Sequence, residues 1–145
     1  MARGKADFKA QRERLGLSQQ DVADALGINI KTVKNWENPR QPRYRISGAA
    51  WRYLDIALDA QAQQVAYARS VVEKRIDELG REPAVISITY YRDQATYDRL
   101  GREEGPFGQA NANARAIACE LERMGIRVEF RYPDDGAIPT PGGNY

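Results

Sequence analysis

Lys31, Lys34 and Asn35 lie within one short stretch, IKTVKNWE, and at helical spacing they share an outward side with Ile30 while Val33 and Trp36 point inward. Two ammonium donors, a side-chain amide and an apolar edge are the groups that read base edges in the major groove of DNA. A lysine donates to guanine O6 and N7, an asparagine pairs bidentately with adenine, and an aliphatic side chain touches a thymine methyl. That chemistry needs a stable helix to present the side chains, so the flanking residues decide whether it is available.

They supply the required punctuation. Ser18 precedes an amphipathic run with Asp21 three residues on, an N-cap arrangement that starts a helix at Gln19. Val22, Ala23 and Leu26 repeat at helical spacing, and Gly27 tolerates the positive φ just past the last turn. Asn29 is a second N-cap for the helix over Ile30 to Trp36, and Pro39 forces Asn38 out of helical geometry. Two short helices with a small residue, Ala23, where they cross and a glycine in the turn match the helix-turn-helix unit. An earlier helix, Lys5 to Leu15, places Phe8, Gln11, Arg12 and Leu15 on one face and closes at Gly16. The loop from Asn38 to Ile46 holds two prolines with Arg40, Arg43 and Arg45.

The charge distribution points the same way. Of 145 residues, Met1 to Arg52 contain 11 basic and 5 acidic side chains, a net +6, whereas Tyr53 to Tyr145 contain 11 basic and 15 acidic, a net −4. The basic part coincides with the two short helices, where attraction to a phosphate backbone would act. With 42% apolar residues the chain has material for one domain or two small ones. A single cysteine, Cys119, excludes an internal disulfide and suits a reducing, cytoplasmic compartment. No signal peptide and no apolar run long enough to span a membrane is visible.

Beyond the basic loop, a helical pattern runs from Ser47 to Leu79, with Trp51, Leu54, Leu58, Val65, Ala68, Val72, Ile76 and Leu79 as its apolar positions. The polar stretch Asp59 to Gln64 interrupts the stripe, so one helix or two remain open, and Gly80 ends the pattern. The period then changes to two. Ile86, Ile88 and Tyr90 alternate with Ser87 and Thr89, and Ile126, Val128, Phe130 and Tyr132 alternate with Arg127, Glu129 and Arg131. Both read as strands buried on one face. Between them fall a short helix, Asp93 to Leu100, a glycine-rich loop and a helix from Gln109 to Met124. The fold class is therefore α+β: an all-α bundle of four to five helices over 1–60, then a long helix and a small β-α-α-β unit over 61–132, then a disordered tail over 133–145. Two strands alone make a marginal sheet with open edges, which predicts that 61–132 dimerises.

Phe8 to Glu37, containing RERLGLSQQDVADALGINIKTVKNWE, resembles the Xre-type domain of phage repressor and Cro proteins, and the similarity extends to about Asp59. The Leu-Ser-Gln opening, Ala23, Gly27 and the Trp36-Glu37 pair carry it. The whole chain resembles, more loosely, the anti-CRISPR-associated autoregulators and related small bacterial regulators, through WENPRQPR, RIDELGREP, Tyr90 with Tyr91, and the helix containing Asn113 and Arg115. The first resemblance implies that Ile30, Lys31, Thr32, Lys34 and Asn35 contact bases. It also implies that Gln19 clamps a phosphate at a helix N-terminus and that Arg12 and Glu37 form a structural ion pair; Asn38, Arg40, Arg43 and Arg45 add backbone contacts. The function so implied is that of a dimeric bacterial or phage repressor binding an inverted-repeat operator in double-stranded DNA, with no cofactor and no membrane partner.

Other chemistries lack their parts. There is no histidine, and the one cysteine sits in mid-helix, so nucleophilic and metal sites are not expected, nor is an enzyme. Gly101, Gly105 and Gly108 do not form a phosphate loop, because Glu103 and Glu104 would repel the anion and no lysine followed by serine or threonine is present. Tyr90, Tyr91 and Arg92 could stack on single-stranded RNA, but interface tyrosines are the commoner reading, and Asn111, Asn113 and Arg115 read as an exposed or dimer-facing helix side. The alternative function is an antitoxin-like module whose C-terminal domain binds a partner protein while the N-terminal domain autoregulates.

Overall fold

The computed structural model describes residues 3–134. In chain order the elements are α1 (Lys5–Arg14), α2 (Gln19–Leu26), α3 (Ile30–Glu37), α4 (Gly48–Leu79), β1 (Ile86–Thr89), α5 (Gln94–Leu100), α6 (Phe107–Arg123) and β2 (Val128–Arg131). The chain divides into two compact units, Met1–Ala60 and Gln61–Tyr145.

In the first unit, α1, α2, α3 and the first turns of α4 bury Phe8, Leu15, Leu17, Val22, Ala23, Val33, Trp36, Ala50 and Leu54. Phe8 is the hub, fully buried, with its ring edge-on to Trp36 at 5.7 Å and to Trp51 at 5.4 Å. Burying such a ring contributes about 1.5–3 kcal/mol, and the edge-to-face geometry adds to it.

Helix α4 is one uninterrupted helix of 32 residues, which answers the question left by the polar stretch at Asp59. Ser47 starts it, with Oγ accepting from the Ala50 amide at 3.1 Å, and Gly80 ends it at φ 69°. Its apolar positions as far as Leu58 belong to the first core and Val65, Ala68, Val72 and Ile76 to the second, while Leu79, expected in the same stripe, is 51% exposed at the helix end.

In the second unit β1 and β2 pair in parallel, with Ile86 beside Val128 and Ile88 beside Phe130. A parallel pair needs a long crossover, and α5 and α6 provide it. Ala114, Ile117, Ala118 and Leu121 of α6, with Ala68 and Val72 of α4, cover Ile86, Ile88 and Ile126. Gly101 in the glycine-rich loop is a packing glycine, since a Cβ there would come within 2.5 Å of the Tyr97 carbonyl oxygen.

Three expectations are corrected. The periodic face of β2 is not buried along its length: Ile126 is covered, but Phe130 is 44% and Tyr132 45% exposed. The covering helices reach only the start of that strand. Asn111 is not an exposed side chain of α6. It is buried, its Oδ1 accepts from the Tyr91 amide at 2.8 Å and its Nδ2 donates to the Tyr91 carbonyl at 2.7 Å, so it extends the ladder past the end of β1. Helix α6 also begins at Phe107, two residues before Gln109. The expected tail lies, from residue 135 on, outside the described residues; Asp134 takes contacts from Arg92 at 2.6 Å and Arg99 at 3.7 Å.

Candidate DNA-binding surface

Local capping fixes the two central helices. Ser18 Oγ accepts from the Asp21 amide at 2.9 Å, and Asp21 Oδ2 accepts from the Ser18 amide at 2.8 Å, a reciprocal box that satisfies two orphan donors of α2. Gly27 closes α2 in the left-handed region, at φ 64° and ψ 37°. Asn29 caps α3, its Oδ1 accepting from the Lys31 amide at 2.8 Å. Each such cap contributes on the order of 1 kcal/mol.

Helix α3 turns Val33 and Trp36 into the core and leaves Lys31 and Lys34 exposed, with Thr32 and Asn35 half-buried between them. Ile30 departs from the expected outward position. It is half-buried against the first core, because at the first turn of α3 its side chain reaches back over the apolar surface beneath, and only an edge faces solvent. Arg40, Arg43 and Arg45 are exposed in the loop that follows, where Asn38 Oδ1 accepts from the Arg40 amide at 2.9 Å and shapes the turn.

Beneath this surface, Arg12 and Glu37 form a bidentate pair, Nε to Oε2 and Nη2 to Oε1, both at 2.7 Å, with the two side chains only 9% and 5% exposed. The third arm of the guanidinium, Nη1, donates to the Leu17 carbonyl at 2.8 Å. Hydrogen bonding to Glu37 raises the Arg12 pKa above its ordinary value, against the opposing effect of burial. Gln19 is partly buried, and its Nε2 donates to Glu37 Oε1 at 3.3 Å. The first turn of α2, which begins at Gln19, still points backbone amides outward.

Lys5 is a determinant that its sequence position does not reveal. Its ammonium donates to the carbonyls of Asn35 at 2.8 Å, Trp36 at 3.2 Å and Tyr44 at 2.7 Å. A cation at the negative end of α3 favours the helix dipole, and the same group ties the basic loop to it. No periodicity or cap marks such a contact, which spans some thirty to forty residues of chain.

The helix-turn-helix family model matches residues 8–59. Residues 8–59 are an Xre-type helix-turn-helix domain. The Xre-type domain accounts for α1, α2, α3 and the first part of α4, and it is a DNA-binding domain of transcription regulators. No curated protein matches the chain. Among the described residues, no helix is long and apolar enough to cross a membrane.

Proposed function

We propose that the protein is a dimeric, sequence-specific transcriptional repressor of its own or a neighbouring operon, and that α3 enters the major groove of an inverted-repeat operator. What carries this reading is the exposed lysine side of α3 within an Xre-type domain, flanked by the arginines of the following loop. Lys31, Lys34 and Asn35 are the base donors, Thr32 adds a hydroxyl, and Ile30 offers a thymine methyl its exposed edge. The Gln19 amide end of α2, the Asn38 side-chain NH2 and the guanidinium groups of Arg40, Arg43 and Arg45 hold phosphates. These contacts position the helix and carry the salt dependence. No catalytic step belongs to this reading.

One recognition helix reads only a few base pairs, so useful specificity calls for two copies meeting half-sites about 34 Å apart. Selection of bound fragments from a random DNA pool, followed by footprinting, tests it. An inverted repeat with protection that weakens as salt rises is the expected result. Absence of any salt-sensitive protection on the selected sequences would overturn it.

A further inference from the structure

We infer that a second copy of the chain docks on the free edge of β2, as an antiparallel β2–β2 pair centred on Phe130. The inference rests on the dimeric reading above and deepens it by naming the surface and the register.

Backbone geometry restricts the choices. The Ile86 amide donates to the Arg127 carbonyl and the Tyr90 amide to the Arg131 carbonyl, both at 2.9 Å, so the polar groups of the odd-numbered residues of β2 face β1. By the alternation of a strand, the N–H and C=O groups of Val128, Phe130 and Tyr132 point to the opposite edge, on which no strand pairs among the described residues. Among the described residues that edge is an unpaired ladder beside two half-exposed aromatic rings, Phe130 and Tyr132.

Charge and the backbone amides already engaged then select the register. Centred on Phe130, the antiparallel pair exchanges two hydrogen bonds between the Phe130 residues, and Val128 exchanges two more with Tyr132 on each side of the axis. In the same register each Glu129 stands opposite an Arg131 of the other copy, twice over, so opposite charges face each other. Shifting the centre to Glu129 would place Glu129 on Glu129 and Arg127 on Arg131; shifting it to Arg131 would place arginine on arginine. Centred on Val128 the charges would match as well, Arg127 against Glu129, but that register pairs Phe130 with Ile126, whose amide already donates to the Leu121 carbonyl at 3.1 Å. The sequence VEFRY is thus self-complementary about Phe130. The two Phe130 rings would meet on the face of Ile86 and Ile88, where each already lies edge-on to Tyr90 at 5.3 Å. The result is a four-stranded sheet in the order β1-β2-β2-β1, which leaves β2 with no open edge.

The test is a thiol cross-link together with solution mass. Opposed residues of a hydrogen-bonded antiparallel pair have Cα atoms about 5.5 Å apart, within the range a disulfide spans. In the full-length chain carrying Cys119→Ser, Phe130→Cys is expected to give a covalent dimer under mild oxidation, whereas Glu129→Cys, off the axis, stays uncrosslinked. Phe130→Glu is expected to raise the dimer dissociation constant at least about 100-fold by light scattering, with an unchanged circular dichroism spectrum. A wild-type dimer in which Phe130→Cys fails to cross-link, or Glu129→Cys cross-links instead, overturns this register and leaves the dimeric reading standing. A wild-type chain that is monomeric both free and on operator DNA overturns the dimeric reading itself.

Discussion

Removing one partner of the Arg12–Glu37 pair should nearly unfold the Xre-type domain. The two side chains are 9% and 5% exposed and share two 2.7 Å hydrogen bonds, so either charge left alone would be buried without compensation. Breaking such a pair costs about 3–5 kcal/mol, far above the 0–1 kcal/mol of an exposed pair. Arg12→Met also strands the Leu17 carbonyl, which accepts from Nη1. A folded unit of this size has roughly 3–9 kcal/mol of stability in all, by the usual per-residue range. Both tryptophans of the chain, Trp36 and Trp51, lie in this unit, so urea unfolding followed by tryptophan fluorescence reports on it selectively. At an m-value near 1–1.5 kcal/mol per molar, Arg12→Met should lower the midpoint by about 2–5 M. The double variant Arg12→Met/Glu37→Leu should recover most of that loss, because it removes both desolvation costs at once. A single-variant loss below about 1 kcal/mol, or a double variant as unstable as the sum of the singles, would refute the reasoning.

Asn111→Ala should destabilise the second unit by about 2–5 kcal/mol, because the Tyr91 N–H and C=O both lose a buried partner; accelerated hydrogen exchange at the amides of β1 measures it. Acid should weaken the fold. Hydrogen bonding to Arg3 lowers the Asp55 pKa, the Thr96 side chain and amide lower that of Asp93, and Ser87 then Arg131 lower that of Glu129. Each carboxylate therefore contributes stability that is fully present above its unfolded value, near 4, and is lost as pH falls through the lower folded value. Thermal midpoints should drop as pH falls below about 4, and Asp55→Asn should flatten that dependence in the tryptophan-reported transition. Arg43→Ala should weaken binding to all DNA sequences alike and reduce the slope of log affinity against log salt by about 1, as titration at several salt concentrations would show.

The elements governed by neighbouring residues were legible. Ser18 with Asp21, Gly27 and Asn29 act on backbone groups within four residues, and their capping geometry follows from local chemistry alone. The order of strands and helices after Gly80 follows equally well from the change of period. What escaped depends on distant partners. Asn111 reads as one polar residue of an exposed helix side, and only the meeting of α6 with the end of β1 makes it a buried ladder mimic. Alternation in β2 identifies the apolar face of Phe130 and Tyr132 but not how far the covering helices reach along it. Lys5 gives no local sign that it holds three carbonyls. At the candidate reading surface, helical spacing separates Lys31 and Lys34 from Val33 and Trp36, yet Ile30 sits at a helix start where periodicity does not decide between core and solvent.

The central claim is that the outward side of α3 reads bases. It is tested most directly by measuring the affinity of wild type and Asn35→Ala for a selected operator and for every single-base-pair change within one half-site. Wild type should discriminate at several positions. Asn35→Ala should lose about 1–3 kcal/mol, roughly 5- to 150-fold, on the operator and become indifferent at one base pair while keeping its preferences at the others. Equal weakening on every sequence would make Asn35 a backbone contact, and an unchanged profile would remove α3 from the role of reader.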